Sequence, residues 1–286
     1  DGHLEISLTM KMISEKYTKL GEQVCIDDVA DFISVALNTR LRAAKNMPQY
    51  LTPEWNTYYF AEEANYHLLT GVAKAVKETE HISGDNYSFY EAENGRMVAV
   101  LSDGMGSGEK ACDDSERIIE KMERLLEAGF RKETAVQMIN GALVAAGQEE
   151  HMSTLDLCDI NMYTGACEFV KAGAACSYIK RGRLVDRLSA LNFPLGVFGQ
   201  IEPERMQRVL QSGDYVIMLS DGILDALSQG LGEEMLPEII GRIEYTNPNE
   251  IANQILAYCL KQSNGQVRDD MTVLVIGIWG RDEDEL

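Results

Sequence analysis

Short apolar runs separated by polar turns dominate the chain after about residue 65, and this pattern predicts β-strands. We expect ten strands, at residues 66–76, 87–91, 96–102, 155–163, 166–172, 175–181, 183–188, 206–210, 215–219 and 272–279. Turn residues such as Thr164 and Gly165 join several of them directly, as β-hairpins require. The pattern therefore predicts antiparallel neighbours.

Helical periodicity appears in segments inserted between these hairpins. Apolar residues recur every three or four positions at residues 109–128, 132–146, 232–243 and 248–262. Helices placed in pairs between hairpins favour antiparallel sheets covered by helices over a Rossmann-like βαβ alternation. The expected fold class is α/β in the α+β sense, and the pattern leaves the strand order open.

The first 65 residues have a sparser pattern. Residues 3–12 alternate weakly like a strand, residues 26–41 have helical spacing after two aspartates, and residues 55–60 are aromatic and strand-like. We expect a small α/β appendage or the end of a preceding domain. Because the chain begins at Asp1, we also expect it to be a fragment of a longer protein.

Charge and cysteine content narrow the class of protein. The 286 residues include 26 basic and 46 acidic side chains, a formal net charge of -20, which disfavours nucleic acid as a partner. Six cysteines without a CxxC pair predict free, packed thiols in a reducing compartment. No stretch approaches the roughly 18 apolar residues of a membrane span, so we expect no direct membrane contact in this fragment.

Aspartates mark the ends of several predicted strands. Asp103 and Asp221 each follow an apolar strand within the same four letters, LSDG, whereas Asp85 and the pair Asp269 and Asp270 precede strands. In an antiparallel sheet, the end of one strand and the start of its neighbour share an edge. We therefore expect these carboxylates to gather at one rim.

Clustered carboxylates repel one another and lose solvation unless cations neutralise them, so the rim predicts a metal site. All-oxygen ligands favour Mg²⁺, Mn²⁺ or Ca²⁺, and the four histidines show no zinc-ligand spacing. Gly104 and the glycines that follow it do not match a P-loop or a GxGxxG motif, and no EF-hand loop is present. A single Asp-Gly pair is usually only a turn, so the prediction depends on the combination.

Four motifs occur in a specific order: SGD at 83–85, SDGMGSG at 102–108, SDG at 220–222 and DDMT at 269–272. They resemble those of the PPM (PP2C-type) metal-dependent serine/threonine phosphatases. YHLLTGVAKAVK at 66–77, STLDL at 153–157 and NFPLGV at 192–197 resemble, within that family, the phosphatase domains of the stage II sporulation protein E type.

The resemblance implies three segments and a four-layer fold. Residues 66–280 would form the phosphatase domain, an α/β/β/α sandwich of two antiparallel sheets flanked by helices. Residues 1–65 would be the end of a regulatory α/β segment, and residues 281–286 an acidic tail. By the same resemblance, the chain would be the cytoplasmic portion of a membrane-anchored bacterial protein whose membrane segments lie outside it.

The resemblance also implies the site residues. Asp103 would bridge two Mn²⁺ or Mg²⁺ ions and act through a water that they hold, assisted by the Gly104 carbonyl. Asp85 would serve the second ion. Asp221 and Asp269 would serve the first, and we prefer Asp269 to its neighbour because family members often carry Asn at the next position.

Two departures from the family concern the leaving group and the phosphate. Met105 stands where many members have a proton-donating His, and the basic residue that those members use to clamp phosphate ahead of the first aspartate has no clear counterpart near residues 80–83. The implied substrate is a serine-phosphorylated anti-sigma-factor antagonist, whose dephosphorylation activates a sporulation sigma factor. The alternative is a non-catalytic or weakly active scaffold that binds a phosphoprotein or a division partner, which the presence of all four motifs disfavours.

Regulation is expected to act on the helices that follow the bridging aspartate. The segments 109–128 and 132–146 come directly after Asp103 and Gly104 and are placed to move that loop. We expect upstream domains, or dimer or oligomer contacts through the regulatory segment, to switch these helices and so gate metal binding.

Overall fold

The computed structural model of the protein describes residues 3–12, 23–44, 46–92, 95–106, 108–146, 152–227 and 232–281. The chain divides into two compact units, one of residues 66–280 and one of residues 1–65 with 281–286. The predicted acidic tail lies outside the described residues except for Arg281. No helix within these ranges is long and apolar enough to cross a membrane.

The smaller unit is a three-stranded antiparallel sheet packed against one helix. Its elements are β1 (Glu5–Met10), α1 (Ile26–Leu37), β2 (Leu41–Ala43) and β3 (Asn56–Glu62), with strand order β1-β3-β2. The helix predicted over 26–41 ends earlier, because Asn38 adopts a left-handed conformation with φ of 51° and its N–H bonds back to the last turn. Residues 41–43 therefore form a strand that periodicity did not reveal.

The larger unit contains ten strands and five helices among its described residues. They are β4 (Tyr66–Ala75), β5 (Asp85–Ala92), β6 (Arg96–Asp103), α2 (Gly108–Glu127), α3 (Lys132–Ala145), β7 (Leu155–Asn161), β8 (Ala166–Ala172), β9 (Ser177–Arg181), β10 (Leu184–Leu188), β11 (Glu204–Val209), β12 (Asp214–Leu219), α4 (Asp221–Asp225), α5 (Gly232–Arg242), α6 (Pro248–Gln262) and β13 (Met271–Gly280). All ten predicted strands and four predicted helices are confirmed within a few residues.

The ten strands form two five-stranded sheets in which every pairing is antiparallel. Sheet A has the order β10-β9-β12-β13-β4, and sheet B has the order β11-β8-β7-β6-β5. Antiparallel pairing is confirmed, and the strand order, which the sequence left open, is now defined.

Strand alternation separates three apolar cores. In β6, Ala99 and Leu101 belong to the core between the sheets, whereas Val98 and Val100 face α2 and α3. On the other side, α5 and α6 cover the outer face of sheet A. The layers are therefore helix, sheet, sheet and helix, which confirms the α/β/β/α sandwich and brings the strand ends of both sheets to a common rim.

Candidate metal centre

Sheet B contributes two of the predicted carboxylates as direct cross-strand partners. Asp85 is the first residue of β5 and lies opposite Asp103, the last residue of β6. The strand predicted to start near Tyr87 begins two residues earlier, because pairing with β6 continues to the Asp85–Asp103 pair itself. Asp85 is only 1% exposed, so the two acids meet in a largely desolvated position.

Sheet A contributes the other two. Asp269 precedes β13, whose neighbour in the sheet is β12. The sequence predicted Asp221 at the end of β12. The strand ends at Leu219 instead, and Asp221 is the first residue of the short helix α4, which begins after an extended Ser220. Asp103 and Asp221 line the same small cavity, and the charge of Asp221 raises the pKa of Asp103, so acids from the two sheets meet across the rim.

The pKa values of three rim aspartates are raised, which shows that several carboxyl groups lie close together with little solvent. Burial raises the pKa of Asp103 to about 9, and the charges of Asp85, Asp221 and Asp269 contribute in the same direction. Burial also raises the pKa of Asp85 to about 7, although a hydrogen bond from Thr272 partly offsets it. The pKa of Asp221 is likewise raised, first by burial and then by the charge of Asp269.

A buried carboxylate oxygen of Asp85 indicates that the rim fits a cation. Thr272 Oγ1 donates to Asp85 Oδ2 at 2.6 Å, but Asp85 Oδ1 has no hydrogen-bond partner within the described ranges. A desolvated carboxylate oxygen without a donor fits a divalent cation, as do neighbouring acids that resist ionisation. Among the described residues, no three His, Cys, Asp or Glu side chains form a ready-made ligand set.

The STLDL segment fixes the backbone of Asp103. Ser153 Oγ donates to the Asp103 carbonyl at 2.5 Å, and the Thr154 N–H donates to the same oxygen at 2.8 Å. In return, the Asp103 N–H donates to Thr154 Oγ1 at 2.9 Å. A fourth hydrogen bond joins the hydroxyls of Ser102 and Ser153. Together these four hydrogen bonds restrict the directions in which the Asp103 carboxyl can point.

The glycines of the motifs have a packing role that sequence reasoning did not identify. A Cβ on Gly104 would overlap the carbonyl of Ala111 in α2, and a Cβ on Gly222 would overlap the carbonyl of Asp270. Only glycine permits these close backbone approaches. Gly106, before α2, and Gly108, its first residue, have positive φ angles of 108° and 72°, which glycine adopts without strain.

The two neighbouring acids before β13 differ in surroundings. Asp270 is buried, and its oxygens accept from the backbone N–H groups of Gly84 at 2.6 Å and Lys77 at 2.9 Å. The Asp269 side chain is 43% exposed and lies 3.9 Å from Lys77 Nζ. Asp270 therefore holds the SGD segment in place, while Asp269 remains open to the rim.

Two lysine side chains near the rim were not predicted from the sequence to belong to the site. Lys74 Nζ donates to the backbone carbonyl of Asp85 at 2.7 Å, and Lys77 Nζ pairs with Asp269. The Lys77 contact follows from sheet order, since β4 is the neighbour of β13 and its end lies beside Asp269, whereas Lys74 reaches from sheet A to Asp85 in sheet B. Strand order was not available from sequence, so the basic residues of KAVK could not be assigned to the site.

Comparison with known proteins agrees with this geometry. Residues 93–279 match the family model described as stage II sporulation protein E (SpoIIE). Stage II sporulation protein E of Bacillus subtilis is 34% identical over 220 residues, which cover 77% of this chain and 27% of that protein. The chain thus spans only about a quarter of that relative. Phosphoserine phosphatase RsbU of Bacillus subtilis is 22% identical over 201 residues, covering 69% of this chain and 60% of that protein.

A solved structure extends the match to nearly the whole chain. It contains the PP2C phosphatase domain and a fragment of the regulatory domain of SpoIIE from Bacillus subtilis. The similarity has a TM-score of 0.78 at 29% identity and covers 98% of this chain and 80% of the other. The chain therefore belongs to the stage II sporulation protein E family and contains a phosphatase domain of the PP2C type.

Proposed function

We propose that this chain removes phosphate from phosphoserine on a protein substrate with the help of two divalent ions, Mn²⁺ or Mg²⁺, bound at the rim. The proposed ligands come from both sheets: Asp85, Asp103, the Gly104 carbonyl, Asp221 and Asp269. The observation that carries the proposal is that acids from the two sheets meet at one rim, where the pKa values of the buried Asp85 and the partly buried Asp103 are raised to about 7 and about 9.

The chain's own residues orient the ligands. The contacts of Ser153 and Thr154 hold the Asp103 backbone, and Thr272 fixes one oxygen of Asp85. Divalent ions bound here would activate water and neutralise charge on the phosphoryl oxygens. The Met105 side chain has no ionisable group, so we assign protonation of the leaving serine to solvent; this side chain is 49% exposed.

The proposed substrate is a serine-phosphorylated anti-sigma-factor antagonist, and its dephosphorylation would activate a sporulation sigma factor. Membership in the SpoIIE family and the similarity to a phosphoserine phosphatase support this choice. We further propose that residues 1–65 end a regulatory segment able to contribute to a dimer or oligomer, and that the whole protein is membrane-anchored outside this chain.

The test is phosphate release from the phosphorylated antagonist with added Mn²⁺ or with EDTA. We expect Mn²⁺-dependent release by the unaltered chain and its loss in Asp221→Asn. Asp186→Asn, at a half-exposed site on β10 paired with Arg208, is the matched control and should keep full activity. Release that is equal in Asp221→Asn, or binding of the phosphoprotein without any release, would contradict the proposal; the second result would favour a scaffold.

A further inference from the structure

A small cavity lies directly beneath the rim, between the two sheets. Its polar lining comes from Asp103, Thr154, Asp156, Ser220 and Asp221, among apolar residues of both sheets. About 10 Å³ is open to the centre of a water molecule, which suffices for a single water. The cavity is thus bounded by two of the proposed metal ligands and by a third acid that no part of the proposed function uses.

Asp156 belongs to a closed polar cluster with Lys171 and Ser177. All three side chains are fully buried, and Asp156 Oδ2 accepts from Lys171 Nζ and Ser177 Oγ, each at 2.5 Å. Lys171 Nζ also donates to Ser177 Oγ at 2.8 Å. Because Lys171 lies on β8 and Ser177 on β9, the cluster joins sheet B to sheet A at the end nearest the rim.

The other oxygen of Asp156 is unsatisfied. Asp156 Oδ1 is buried and has no hydrogen-bond partner among the residues that the structure describes. Ser220, across the cavity, does not serve it: its hydroxyl donates to the Asp270 carbonyl and accepts from the Thr272 N–H. A carboxylate paired with a lysine can only accept hydrogen bonds, so this oxygen requires a donor that fits the cavity.

We propose that the cavity holds one ordered water, and that Asp156 is a positioning residue that acts through this water on Asp103 and Asp221. One hydrogen of the water satisfies Asp156 Oδ1, and the other is available to a carboxyl oxygen of Asp103 or Asp221. Lys171 balances the charge of Asp156, so the cluster can orient the proposed metal ligands without adding net charge below them. The inference about metal ligands rests on the proposed function, whereas the water site does not.

A paired substitution separates positioning from simple support of the fold. Lys171→Met with Asp156→Leu, made in a Ser177→Ala background so that no buried hydroxyl loses its partners, replaces a buried ion pair by apolar residues of similar volume, a change that often leaves stability intact. It also removes the anchor of the water. Mn²⁺ binding by the full chain, followed through the electron paramagnetic resonance signal of free Mn²⁺, should weaken about tenfold or more, while thermal unfolding in EDTA stays near that of the unaltered chain. Unchanged Mn²⁺ affinity in this folded variant would overturn the positioning role.

A second measurement needs no variant. A high-resolution crystal structure of the unaltered chain should show a water within hydrogen-bond distance of Asp156 Oδ1, and a dry cavity there would overturn the water site. Failure of the proposed function is recognised differently, since the unaltered chain would then neither bind Mn²⁺ nor release phosphate. The water would still be present in that case.

Discussion

The metal-free chain should lose stability as pH rises, because the rim acids are forced to ionise in a buried position. In the unfolded chain Asp85 ionises around its ordinary pKa of 3.8, whereas in the folded chain its pKa is about 7. Between these values the unfolded chain binds fewer protons than the folded one, so the free energy of unfolding falls with pH. The contribution of Asp85 to the free energy of unfolding is fully present below pH 3.8 and is lost as the pH rises to about 7.

The size of the effect follows from linkage. Each pH unit between the two pKa values lowers the free energy of unfolding by about 1.4 kcal/mol. From about pH 5 to its folded-state pKa of about 7, Asp85 alone accounts for about 3 kcal/mol. Asp103, with a pKa raised to about 9, adds to the fall up to higher pH. This is a large fraction of the roughly 5–15 kcal/mol that stabilises an ordinary domain.

The assay is urea unfolding in EDTA near pH 5 and near pH 8, followed by the fluorescence of Trp279 in a Trp55→Phe background, so that only the larger unit is observed. Asp85→Asn is the control, because its amide cannot ionise and its slope with pH should be smaller. Added Mn²⁺ should restore stability at the higher pH. Equal slopes for the unaltered chain and Asp85→Asn, or a stability that increases with pH in EDTA, would refute the reasoning.

Three further substitutions test individual contacts. Gly222→Ala introduces a Cβ that overlaps the Asp270 carbonyl and should cost about 1–3 kcal/mol in urea unfolding; no loss would show that the backbone adjusts freely. Thr272→Val keeps the shape but removes the donor to Asp85 Oδ2, and we expect Mn²⁺ affinity measured by calorimetry to fall about tenfold or more, so an unchanged affinity would argue against this role. Cys112→Ser should retain nearly all Mn²⁺-dependent phosphate release, because the half-buried thiol is not a nucleophile in this mechanism; a strong loss would contradict the metal-assisted mechanism.

The pattern predicted antiparallel sheets covered by helices, and the resemblance to the phosphatase family implied the four layers. The layers could not be read from a strand such as β6, because its apolar run is buried on both faces. The sequence also identified the acids, since LSDG recurs at two strand ends. The position of Asp221 was less accurate: a five-residue helix is too short to produce a periodic signal. The end of α1 was missed for a related reason, because a single left-handed residue, Asn38, ends the helix within an apolar pattern that continues.

The polar contacts around the site depend on strand order, which local pattern does not contain. Lys77 lies beside Asp269 because β4 is next to β13, and Lys171 meets Asp156 because β7 and β8 are paired in that register. Ser177 joins them from the opposite sheet. Buried charges in otherwise apolar strands of this kind cannot be paired from sequence alone without knowing which strands are neighbours.

The central claim is that acids from two sheets hold a pair of divalent ions, and counting bound ions tests it most directly. Calorimetric titration of the full chain with Mn²⁺ should give two ions per chain, and Asp103→Asn, which removes the acid placed between the two sites, should bind neither tightly. Two tightly bound ions retained by Asp103→Asn, or no Mn²⁺ bound by the unaltered chain, would contradict the account.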